Sequence, residues 1–85
     1  MSDKLETLKK KLLYRASYRG TKEMDILLSS FVKKFINEFD SDQLNLLEKF
    51  LNFEDEIIYN FYYFNEIKKD IDKNKISKIF KKFKV

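Results

Sequence analysis

Apolar residues recur along this chain every three or four positions, and nowhere do they alternate with polar residues at the period of two that a half-buried strand requires. The pattern predicts an all-α domain. Leu5, Leu8, Leu12 and Leu13 form a first stripe that ends near Ala16, Ser17 and Tyr18. A second helix is expected from about Thr21 to Phe39, where Met24, Leu27, Leu28, Phe31, Phe35 and Phe39 hold one face at i, i+3, i+4, i+7 spacing. Its acids Glu23 and Asp25 fall in the first turn, where the helix dipole favours negative charge by about 0.3–1 kcal/mol each.

Asp40 and Ser41 then supply a helix start, with Gln43 three residues after Asp40 in a capping-box arrangement. The third helix would bury Leu44, Leu47, Phe50 and Leu51. Glu54, Asp55 and Glu56 can cap a fourth, with Ile57, Ile58 and Phe61 facing inward, and residues 65–69 read as a connection. A last helix is expected from about Asp70 to Phe83, presenting Ile76, Ile79, Phe80 and Phe83 on one side and lysines on the other. Five short helices with short links imply one compact bundle over residues 1–85, its neighbours mostly antiparallel.

At this length a domain buries only about 60% of the surface its unfolded chain exposes, so a spacious internal active site is not expected. Histidine and cysteine are both absent. That removes Ser/His and Cys/His nucleophilic arrangements and nitrogen- or sulfur-ligated metal sites. One glycine cannot build a phosphate-cradling loop, so the chain is not expected to be an enzyme, to carry a metal or to bind a cofactor of its own. The longest stretch without charge, Ile57 to Asn65, is nine residues, far short of the roughly 20 that span a bilayer. The opening residues mix acids and bases and lead into no apolar run, so neither a secretory nor a transit peptide is expected. Lack of cysteine suits a reducing compartment.

The net charge of +4 is zoned: residues 1–35 hold nine basic and four acidic side chains, residues 36–60 one and seven, and residues 61–85 eight and three. Zoning of this kind suits a protein steered onto a partner of mixed charge better than a binder of a uniform polyanion. The single glycine, Gly20, lies within Arg19-Gly20-Thr21-Lys22-Glu23-Met24-Asp25, at the mouth of the strongest amphipathic stretch. A missing Cβ permits unusual backbone angles or close approach of another group. Read on residue types alone, Gly20 is an interhelical turn, Glu23 and Asp25 compensate the dipole, and Arg19 pairs with Glu23 within the chain.

The segment from Leu12 through Leu28, with Phe31 after it, closely resembles the signature of the SdhE-like family, the FAD assembly factors of succinate dehydrogenase. That family carries Arg-Gly-x-x-Glu at a helix start followed by an acid, here Arg19, Gly20, Glu23 and Asp25; the block Leu47–Leu51 and the run Asp55–Phe61 are similar to its third and fourth helices. The chain departs from the family at Ile57, where an acid is common, and at Phe61, where Trp is common. The resemblance implies a small five-helix helper that binds the flavoprotein subunit of succinate dehydrogenase, and in some members that of fumarate reductase. Such a helper promotes covalent attachment of FAD to a histidine of that subunit, while the FAD itself belongs to the partner. It also implies a partner-binding patch of Arg19, Gly20, Glu23 and Asp25, extended by Arg15 and Tyr18. In that patch Gly20 would let the partner close against the helix start, Arg19 would offer its planar fork to the partner, and Glu23 would orient Arg19 or accept a hydrogen bond from the flavoprotein. The expected setting is the bacterial cytoplasm, with the free chain a monomer and neither nucleic acid nor membrane as partner.

A rival reading takes the lysine-rich end, Lys73, Lys75, Lys78, Lys81, Lys82 and Lys84, as the working surface of a small basic module that binds nucleic acid or regulates a partner protein. The plainer reading of those lysines is a solvated face that complements a helix C-terminus. At helical spacing, Phe31, Phe35, Phe39, Phe50 and Phe61 are read as core rather than as flavin-stacking groups. In the run Tyr62, Tyr63, Phe64 at least one ring must face outward.

Overall fold

A computed structural model of the chain describes residues 2–84, with side-chain surroundings for residues 4–84; Met1 and Val85, the ends of the expected 1–85 domain, lie outside the described residues. Among the described residues the architecture is all-α, with five helices: α1 (Ser2–Ser17), α2 (Lys22–Phe35), α3 (Ser41–Leu51), α4 (Asp55–Phe64) and α5 (Lys75–Lys82), the last preceded by a 3-10 turn at Ile71–Lys73. Helix α1 packs against α2 and α3, and α5 closes the bundle against α3 and α4.

The apolar stripes meet in one core. Leu12 and Ala16 of α1, Leu27, Leu28 and Phe31 of α2, Leu44, Leu47 and Phe50 of α3, Ile58 of α4 and Ile76 and Phe80 of α5 are almost fully removed from solvent. An aromatic spine runs through it: the Phe31 ring meets Phe80 edge-on at 5.1 Å and Phe83 at 5.4 Å, and Phe80 lies 5.1 Å from Phe50. Such pairs contribute about 0.5–1.5 kcal/mol beyond the area they bury. Phe39 and Phe61 are buried as well, Phe35 only half-buried, and Ile57 is apolar core where the family commonly has an acid.

The helix boundaries show how caps prevail over periodicity. The apolar spacing extends α2 to Phe39, yet the helix ends at Phe35 and residues 36–38 form a turn. Phe39 still reaches the core because the turn sets its ring parallel to that of Phe35, at 5.4 Å and 9° between planes. The turn is needed to bring Asp40 into place. Its side chain accepts from the Gln43 backbone N–H at 2.8 Å while Gln43 Oε1 accepts from the Asp40 N–H at 3.0 Å, the capping box read from the sequence.

At the other end, the helix expected from Asp70 begins only at Lys75. Asn74 is extended, at φ −82° and ψ 129°, and its Oδ1 accepts from Ile76 N–H at 2.8 Å while its Nδ2 donates to the Leu46 carbonyl at 2.9 Å. One side chain thus starts α5 and ties it to α3. The connection before it, residues 65–70, turns through left-handed conformations at Asn65, Lys69 and Asp70, the first a left-handed cap ending α4.

Two contacts fasten α4 to the C-terminal segment. Lys81 Nζ donates to the carbonyls of Phe61 and Tyr62, at 2.7 Å each, satisfying oxygens in the last turn of α4. The Tyr62 hydroxyl in turn donates to the Phe83 carbonyl. Burial, then the neighbouring charge of Lys84, holds the Lys81 ammonium below the ordinary lysine range.

Candidate functional site

Between α1 and α2 the chain reverses direction in the three residues Tyr18, Arg19 and Gly20, and Thr21 caps α2 by accepting from the Met24 N–H at 3.2 Å. What fixes this reversal is Arg19. Its Nε donates to Asp55 Oδ1 at 2.6 Å, Nη1 to the Leu51 carbonyl at 2.9 Å and Nη2 to the Phe53 carbonyl at 2.8 Å. The guanidinium therefore sits on the free carbonyls at the end of α3, where a cation is favoured, and grips a carboxylate at the start of α4, where an anion is favoured. Only 11% of the Arg19 side chain and 26% of that of Asp55 remain exposed.

Asp55 completes the latch from the other side. Its Oδ2 accepts from the Gly20 N–H at 2.6 Å, and the Arg19 N–H donates to the Asp25 carboxylate. A Cβ built on Gly20 would stand 2.9 Å from that same Asp55 oxygen. The backbone angle at Gly20 is not in the left-handed region, so glycine is required here by the approach of Asp55 and not by the torsion.

These contacts revise three roles expected from the sequence. The Arg19 fork is engaged within the chain, on Asp55 and two carbonyls, and is not turned to a partner. Asp55, not Glu23, orients it. The space left by the missing Cβ of Gly20 is taken up by the protein's own Asp55 carboxylate. The plain expectation of an intrachain pair for Arg19 holds in kind, with Asp55 as the partner instead of Glu23. Asp25 stands at the first turn of α2 and is half-buried against the loop.

Outside the latch a face remains open. Gly20, Thr21 and Glu23 are exposed, and Thr21, Glu23, Met24, Asp55, Glu56 and Tyr59 line a groove of about 380 Å³ between the start of α2 and α4. Tyr63, 45% exposed, stands beside Glu23. Burial of the ring first, then the Glu23 carboxylate and the neighbouring Tyr62 and Tyr59, push its hydroxyl above the ordinary tyrosine range. Phe64 is 67% exposed, so two of the three rings in the run Tyr62, Tyr63, Phe64 face solvent.

The two flanking candidates lie at the end of α1. Arg15 Nη2 donates to the Asn52 side chain just past α3, a second strut beside Arg19. Tyr18 is 70% exposed and its ring pairs with Tyr14 at 4.5 Å, forming a small aromatic ledge. Asp55 and Tyr59 were not singled out as site residues from the sequence, and Tyr63 only as one of a run of rings of which at least one must face outward. Their signal was the acidic run Glu54–Glu56 and, after two isoleucines, a stretch from Tyr59 to Phe64 that is aromatic except at Asn60.

Among the described residues no group of three or more His, Cys, Asp or Glu side chains could hold a metal ion, and no helix is long and apolar enough to cross a membrane. Fold and site together define a five-helix protein whose distinctive surface is a latched loop beside an open groove lined by acidic side chains and Tyr59. The family model described as "Sdh5: Flavinator of succinate dehydrogenase" matches residues 10–84. The chain belongs to that family.

Among similar proteins, "Succinate dehydrogenase assembly factor 2, mitochondrial" of Scheffersomyces stipitis is 37% identical over 81 residues, covering 91% of this chain and 52% of the relative. The protein of that name from Drosophila virilis is 46% identical over 48 residues, covering 56% of this chain and 30% of the relative. The chain therefore spans about half, or less, of the length of the relatives it matches. No solved structure matches.

Proposed function

We propose that this chain docks on the flavoprotein subunit of succinate dehydrogenase through the face at the start of α2 and promotes covalent attachment of FAD to a histidine of that subunit. One observation carries the reading: the Arg19–Asp55 latch fixes the loop from within and leaves Glu23 and Thr21 exposed beside the Tyr59 groove, so the signature residues divide into a set that holds the loop and a set that can touch a partner. The family description, which names a flavinator of succinate dehydrogenase, supports this choice of partner. With no histidine in its sequence, the chain cannot itself be the histidine that accepts the flavin; in this reading it acts by holding a conformation of the partner in which flavin and acceptor are aligned.

In this reading FAD stays with the partner, the free chain is a monomer, and the flavoprotein of fumarate reductase is a second client. The setting proposed is the bacterial cytoplasm; the relatives above are mitochondrial by name, and fractionation of the source cells separates the two. The functional test is co-expression of the flavoprotein with and without this chain, reading covalent flavin by fluorescence in a denaturing gel. The reading expects attachment to rise with the chain present and to return towards background with Glu23→Ala. Equal attachment in all three samples overturns it.

A further inference from the structure

The far end of α2 carries a second surface of different character. Lys34 and Phe35 from α2, with Lys78, Ile79, Lys82, Phe83 and Lys84 from the C-terminal segment, enclose a groove of about 360 Å³. Lys34 lies eleven residues beyond Glu23, roughly 16 Å along the helix, so this groove is separate from the face at the start of α2. Its floor is apolar: Phe35 and Ile79 are half-buried and Phe83 is 9% exposed. Its rim is cationic, and among the described residues none of Lys34, Lys78, Lys82 and Lys84 takes part in an ion pair.

Both helices end here, and cations in a last turn complement the dipole. Dipole compensation asks only for charge near the carbonyls; it leaves unexplained a hollow between the lysines with aliphatic and aromatic side chains at its base. Two anionic surfaces match the rim but not the floor. A bilayer is entered by apolar side chains that protrude, whereas these are recessed. A single nucleic-acid strand would use the lysines for its phosphates but finds no exposed ring for its bases, since the two phenylalanines of this groove are half-buried and buried, and the apolar floor would go unused. A protein segment with carboxylates either side of one large apolar residue satisfies both parts, its apolar side chain on the floor and its acids at lysines that stand one helical turn apart, about 6 Å along α5 for Lys78 and Lys82.

We infer that this groove is a second docking surface, which takes an acidic segment of a partner protein bearing a single apolar anchor. The inference goes beyond the docking face proposed above and does not depend on it.

The test uses the full chain and a short fluorescein-labelled peptide in which glutamates flank a central phenylalanine, read by fluorescence anisotropy. Saturable binding is expected that weakens with added salt, falls about tenfold with the double variant Lys78→Glu/Lys82→Glu, falls likewise with Lys34→Glu on the opposite helix, and drops when the peptide's phenylalanine is replaced by serine. Glu23→Ala should leave it unchanged, so failure of this surface and failure of the face at α2 are read separately. Unaltered far-UV circular dichroism shows that the lysine variants fold. The inference is overturned if the peptide does not bind, or if its affinity is indifferent to the lysine variants or to loss of the phenylalanine. It is equally overturned if phosphatidylglycerol vesicles or a single-stranded oligonucleotide bind in a manner dependent on these lysines while the peptide does not.

Discussion

Replacing Gly20 with alanine isolates one of the contacts that hold the loop between α1 and α2, the close approach of the Asp55 carboxylate. The new Cβ would lie 2.9 Å from Asp55 Oδ2, and ordinary contact begins at 3.4 Å, so the carboxylate must retreat by half an ångström. It is held at 2.6 Å by both Arg19 Nε and the Gly20 N–H, and retreat stretches both bonds. Weakening two charge-assisted hydrogen bonds in this way costs about 1–2 kcal/mol. The backbone at Gly20 is compatible with alanine, so the loss is partly offset by the about 0.4–1 kcal/mol that a Gly-to-Ala change yields through the unfolded chain. The net expectation is a destabilisation of about 0.8 kcal/mol at the centre of those ranges, or roughly 3–6 °C in Tm for a domain of this size. In an Asp55→Ala background the obstruction is gone and the sign reverses: Gly20→Ala then stabilises by about 0.4–1 kcal/mol. Urea unfolding of the four proteins, followed by far-UV circular dichroism, measures the cycle. Additivity within about 0.5 kcal/mol would show that Gly20 and Asp55 do not meet.

Other substitutions separate holding from touching. Arg19→Ala leaves Asp55 Oδ1 and the carbonyls of Leu51 and Phe53 without their donor, and thermal unfolding should register a loss of about 3 kcal/mol. Glu23→Ala, on an exposed position, should leave Tm within a few degrees of the wild type while covalent flavin on a co-expressed flavoprotein falls; a parallel loss of Tm would mean that Glu23 serves the fold. Ser77 is fully buried and its Oγ has no hydrogen-bond partner among the described residues, so Ser77→Ala should stabilise by about 1 kcal/mol in urea unfolding. Lys81→Met removes the donor to the Phe61 and Tyr62 carbonyls and should cost about 1–3 kcal/mol by the same measurement.

The parts of the structure that were legible in the sequence are those set by local spacing. Asp40 with Gln43, and Met24 through Phe35, announce a cap and a buried face because the partners lie within one or two turns of each other. Asn74 carried the same kind of signal, but the apolar period of Ile76, Ile79, Phe80 and Phe83 drew the helix back past it to Asp70. Periodicity says which residues face inward and not where the hydrogen bonding begins. The latch was out of reach for a different reason. Arg19 and Asp55 stand thirty-six positions apart, and nothing local distinguishes Asp55 from Glu54 and Glu56 as the acid that crosses to the loop. Glu23, four residues from Arg19, was the natural partner by proximity, yet the guanidinium is taken by Asp55 and the carbonyls of Leu51 and Phe53, and Glu23 stands beside Tyr63. Arg19, Gly20, Glu23 and Asp25 do gather at one loop, and which of them hold it follows from how α3 and α4 approach that loop.

The account rests on the face at the start of α2 being the surface that another protein covers. Amide hydrogen exchange of this chain, alone and with the flavoprotein subunit of succinate dehydrogenase, reads that directly: residues 20–26 and 59–64 should gain protection in the complex. If those segments exchange equally with and without the flavoprotein, while binding is verified in the same sample, docking occurs elsewhere and the central claim fails.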